Sequence, residues 1–167
     1  MPQPPLLPLE TLARVLRLAR IDGMGVVVFA GLYALLAATA GDTMGAVIGL
    51  LGAGAGAVEL HGAGLLRHGE RRGVSWLVAS QPFLLGVIFA YCFYRWTHFV
   101  VPPLPEELRP MITLSAQQWG MSLEEYYQFV NRLTSLLVAI VSTFYQGGMT
   151  IYYLRRRHAV ARALQGE

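Results

Sequence analysis

Four stretches of this chain, residues 23–40, 44–66, 74–96 and 133–154, carry almost no charge and are long enough to cross a bilayer as helices. A hydrocarbon core about 30 Å thick takes roughly 20 helical residues. Helices are favoured there because each satisfies its own backbone hydrogen bonds. The composition agrees, with 54% hydrophobic and 14% charged residues, whereas soluble domains carry about a quarter charged. The fold class expected is all-α and integral to a membrane, with four transmembrane helices.

The first span is short, but residues 9–20 precede it with Leu9, Leu12, Val15, Leu16 and Ala19 at helical spacing and Arg14, Arg17 and Arg20 on the other side. That pattern predicts an N-terminal amphipathic helix lying at the membrane interface and feeding the first span. Ala38-Thr39-Ala40 has the small-x-small form of a signal-peptide cleavage site. The long amphipathic lead-in favours a retained span instead.

All thirteen basic side chains are arginine, and ten of them fall before span one, between spans two and three, or after span four. The positive-inside rule makes that side cytoplasmic, so both termini are expected inside and the protein in the cytoplasmic (inner) membrane. Arg71 and Arg72 in the turn, with Arg155, Arg156 and Arg157 in the basic tail of residues 155–167, are read as topology determinants that touch anionic lipid. They form no basic face of the kind that would grip nucleic acid.

Only Gly41-Asp42-Thr43 joins spans one and two, which predicts a tight antiparallel hairpin with Asp42 or Thr43 as N-cap. Residues 97–132 form the one substantial extramembrane element, an outer helical cap. It opens on Pro102-Pro103-Leu104-Pro105, continues through a short helical piece at 112–119 ended by Gly120, and reaches Ser122-Leu123-Glu124-Glu125, a capping box. From that box one continuous helix of about 35 residues is expected to run into span four. Trp76, Tyr91, Tyr94, Trp96, Tyr152 and Tyr153 fall near the predicted interfaces, where aromatic anchors sit.

Span two is rich in small residues, among them Gly45, Gly49, Gly52, Gly56 and Gly64. In lipid, helices associate by close packing, and such residues let backbones approach. Half of that surface suffices for the chain's own bundle, so the other half is expected to face a second copy.

The same span holds Glu59. Counted from the ends of their spans, Glu59, Gln81 and Gln146 lie at one depth, roughly 10 to 12 Å into the core at 1.5 Å per residue, with Ser80 and Tyr145 close to that level. A carboxylate inside a bilayer is costly and faces polar partners in the bundle. Glu59 is expected to accept hydrogen bonds from Gln81 and Gln146. This polar layer is either structural glue or a site for protons or small cations.

His61, two positions on, points to another side of the helix and cannot share a metal with Glu59. The chain lacks the His-Glu-x-x-His, Gly-x-Ser-x-Gly and Cys-x-x-Cys-His patterns. His68 and His158 lie at one membrane edge and His98 at the other, so no second histidine matches His61 in depth for haem. The single cysteine, Cys92, sits in an apolar run and makes an intrachain disulfide impossible. The expected protein is therefore neither an enzyme nor a metal or cofactor carrier. It is a self-associating membrane protein that passes or couples to protons or small cations, or else an accessory subunit of a larger membrane complex.

Overall fold

A computed structural model describes residues 8–99 and 108–165. The Pro102–Pro105 stretch, together with Glu106 and Glu107, lies outside them. The described residues form five helices and no strand: α1 (Pro8–Thr39), α2 (Thr43–Arg67), α3 (Gly73–Thr97), α4 (Arg109–Gln118) and α5 (Leu123–Ala163). Of these, α1, α2, α3 and α5 are long and apolar enough to cross a membrane. The chain divides into two compact units, one of residues 1–88 with 142–167 and one of residues 89–141.

In the first unit α1 and α2 form the expected antiparallel hairpin. Gly41 takes a positive φ of 76°, which a side chain would strain. Asp42 then caps α2, its Oδ1 accepting from the Gly45 backbone N–H at 2.8 Å. Along the hairpin, the small residues decide how closely the helices approach. A Cβ added at Gly49 would meet the Ala34 backbone at 2.8 Å, and one at Gly56 would lie 2.8 Å from the Gly23 carbonyl oxygen. Gly52 faces Ala30, and Gly45 faces Tyr33.

Near its other end α2 meets α3, where Gly62 and Gly73 face each other across the interface. Gly64, expected among the packing glycines, instead has nothing within 4 Å of an added Cβ, as is also true of Gly54. The reason is angular: neither lies on the strips of α2 that meet α1 and α3. Gly49→Ala should consequently destabilise the bundle by about 1–3 kcal/mol, the usual cost of overpacking, while Gly54→Ala should leave it unchanged. Equilibrium unfolding in mixed micelles checks both.

The unit's apolar core gathers Val15 and Ala19 of α1, Ala63 and Leu66 of α2, Leu77 of α3, and Met149, Tyr153 and Val160 of α5. Two features differ from the sequence expectation. The stretch 9–20 is continuous with the first span in one unbroken helix, and of its apolar face Val15 and Ala19 are buried in this core, Leu12 and Leu16 are partly buried against it, and Leu9 is exposed. An apolar stripe is satisfied by helix packing as well as by a membrane surface. In addition, α5 runs on through Arg155, Arg156 and Arg157 to Ala163, with Val160 1% exposed on the buried side. Those arginines, like Arg71 and Arg72, remain at least partly open to the surroundings.

In the second unit Pro110 opens α4, and Gly120, at φ 66°, ends it. The capping box then starts α5: Ser122 donates to Glu125 Oε2 through both its backbone N–H and its hydroxyl, each at 2.8 Å. The Trp119 ring lies 6.0 Å from that of Phe129. Arg95 of α3 donates twice to Asn131 Oδ1 of α5, at 3.1 and 2.8 Å, and Asn131 Nδ2 returns a bond to the Arg95 carbonyl at 3.1 Å. One turn away, Cys92 Sγ donates to the Ser135 carbonyl.

Candidate functional site

Glu59 is 1% exposed, in the middle of the small-residue helix α2. Its Oε1 accepts a hydrogen bond of 2.6 Å from the hydroxyl of Tyr153 on α5. Tyr153 is also 1% exposed, so the donor is as deeply enclosed as the carboxyl group it serves. The Gln81 side chain of α3 stands beside Glu59 as well, as the common depth of the two residues led us to expect. Gln81 Nε2 also donates weakly to Ser80 Oγ at 3.4 Å, and Ser80 in turn donates to the Leu77 carbonyl at 2.9 Å.

The partner that completes the site is a second carboxyl group. Asp22 of α1 faces Glu59 within hydrogen-bonding range, and its Oδ1 accepts from the Tyr145 hydroxyl at 2.6 Å. Two acidic side chains from antiparallel helices thus meet inside the bundle, each held by one tyrosine of α5. Tyr145 is half exposed, whereas Tyr153 is enclosed, so the pair has an inner and an outer flank.

Gln146 does not play the part expected of it. It is 5% exposed and is not among the side chains bonded to Glu59, and its Oε1 has no hydrogen-bond partner within the chain. The same is true of Gln81 Oε1 and Asp22 Oδ2. Buried acceptors are nearly always satisfied, because stripping one of water without replacement costs about 1–3 kcal/mol. Two of these atoms, Asp22 Oδ2 and Gln81 Oε1, belong to the cluster around Glu59, which is thus rich in acceptors and short of donors.

The other residues singled out by sequence lie apart from this cluster. His61 is exposed, and its ring makes an edge contact with Trp76 at 5.4 Å. Arg72 pairs with Glu70 at 2.6 Å on the exposed turn, and Arg156 lies 5.7 Å from the Tyr152 ring. Among the described residues, no three histidine, cysteine or acidic side chains come together as a metal site would require.

Two members of the cluster escaped the sequence reading, each for a definite reason. Asp22 sits just before the first apolar run of residues 23–40, close to Arg20 and outside the predicted span. Yet Thr11, Val15, Ala19 and Asp22 follow one another at helical steps along the buried side of α1, and Asp22 and Glu59 are almost equally far along the chain from the Gly41 turn. Tyr153 was assigned to the membrane interface with Tyr152. Its spacing from Gln146 and Met149 carries the buried stripe of α5 through it instead. No known protein family, curated protein or solved structure matches the chain.

Proposed function

We propose that this protein is a multi-pass membrane protein that binds a proton at the Asp22–Glu59 pair and passes it across the bilayer. The observation that carries this reading is the contact between two carboxyl groups inside a membrane-spanning bundle. Like charges side by side in a medium of low dielectric repel each other, and a proton bound between the two carboxyl groups relieves that repulsion. The tyrosine bonds favour a proton over a metal cation. Tyr145 and Tyr153 each donate into the pair, occupying lone pairs that a cation would need and turning hydrogens toward the place it would sit. The arginine distribution supports an orientation with both termini in the cytoplasm and residence in the cytoplasmic membrane. The face of α2 that holds Gly54 and Gly64 is the surface on which a second copy would pack.

The test is proton flux in proteoliposomes under an imposed pH gradient, read with an enclosed pH-sensitive dye. Wild-type protein should dissipate the gradient, and Glu59→Gln should leave it as stable as in protein-free vesicles. Unchanged flux in Glu59→Gln, or a wild type no more permeable than lipid alone, would contradict the reading.

A second reading is favoured by one observation in the unit of residues 89–141. Helix α4 lies outside the spans yet exposes Met111 at 62% and Leu114 at 61%. Apolar side chains grouped on a polar helix suit docking to a larger membrane partner. On that reading, the mass of the complex isolated in mild detergent exceeds that of any homo-oligomer, and Leu114→Asp reduces it to the chain alone.

A further inference from the structure

The outer flank of the carboxyl pair opens into a cleft of about 350 Å³. Its walls are Leu18, Ile21, Val26 and Phe29 of α1, and its polar end is formed by Asp22 and Tyr145. Gly25 lines it too, and a Cβ there would meet nothing within 4 Å, so the missing side chain keeps the cleft open. Ile21 and Phe29 are 62% and 77% exposed at its rim, on a face that lipid would cover. The volume falls at the lower end of the range for small-molecule sites, which are mostly apolar with a few placed polar groups.

We propose that this cleft binds a membrane-dissolved amphiphile with an apolar body and a single protonated amine, its ammonium group held by Asp22. The apolar walls set the body of the ligand. Asp22 sets the head: its carboxyl group lines the cleft on the side of Oδ1, which accepts from Tyr145 and keeps a lone pair for a further donor. An ammonium group supplies both a donor and the opposite charge. A neutral hydroxyl supplies the donor alone, and an anionic head is repelled. This deepens the proton-site reading and rests on it, because the carboxyl group that takes the ammonium belongs to the pair that holds the proton. A proton and an amine meeting at one pair is the arrangement by which movement of one can drive the other.

The probe is tritiated dodecylamine, with its displaceable binding measured on purified full-length protein in nanodiscs against empty nanodiscs as blank. Wild-type protein should bind it saturably, one per chain. Asp22→Asn should weaken binding at least about tenfold, since a hydrogen bond to a charged group contributes about 1.5–3 kcal/mol. Gly25→Leu should abolish it by filling the cleft, with the unfolding midpoint unchanged because the added side chain enters open space. Dodecanol, of the same chain length, should not displace it. Displaceable binding that is equal in all three proteins, or that dodecanol removes as well as the amine does, would overturn the proposal. Binding is read without any pH gradient, so its failure is separate from failure of the flux test.

Discussion

Replacing Tyr153 by Ala should lower the unfolding free energy by about 3–5 kcal/mol, the range for truncating a buried aromatic residue. The ring is 1% exposed at the centre of the core shared by α1, α2, α3 and α5, so its loss leaves a cavity. It also removes the donor from Glu59 Oε1. Tyr153→Phe separates the two effects. That change keeps the ring and deletes only the hydroxyl, and interhelical hydrogen bonds in membranes contribute about 0.6 kcal/mol on average with a maximum near 1.7. A loss of about 1 kcal/mol is therefore expected. Equilibrium unfolding of both variants in mixed micelles, titrated with a denaturing detergent, checks this. If Phe were as damaging as Ala, the hydroxyl would dominate and the packing account would fail.

The carboxyl pair makes the second large prediction. Asp22→Asn and Glu59→Gln each remove one acid while keeping its shape, and each relieves the unfavourable contact between two like-charged groups. Either variant should be at least as stable as the wild type and carry no proton flux. Their effects should also fail to add, because either substitution alone relieves the like-charge contact. A double-mutant cycle should give a coupling energy within about 0.5–3 kcal/mol, the span typical of residues in contact. Additive effects would mean that the two carboxyl groups do not interact.

Much of this arrangement can be read in the sequence. Hydropathy locates the four spans, Gly41 and Asp42 mark the tight hairpin, and the Ser122 capping box marks the start of α5. Equal depth relates Glu59 to Gln81. What polarity does not show is where a helix ends. The first apolar run begins after Asp22, but α1 begins at Pro8. The last run ends near Leu154, but α5 continues to Ala163. Residues at the edge of an apolar run are therefore placed at the membrane surface when the continuing helix buries them among its neighbours. Asp22 and Tyr153 stand at two such edges. Gln146 shows the converse: equal depth places a residue near the layer but cannot choose its hydrogen-bond partner, which depends on the rotation of α5.

Infrared difference spectroscopy of the protein in lipid at neutral pH tests most directly the proposal that the pair holds a proton. A protonated carboxyl group absorbs in a carbonyl band well separated from the carboxylate bands. The wild type should show such a band for one carboxyl group per chain, altered in Asp22→Asn and removed in the double variant Asp22→Asn with Glu59→Gln. A neutral-pH spectrum with both side chains fully ionised in the wild type would contradict the account.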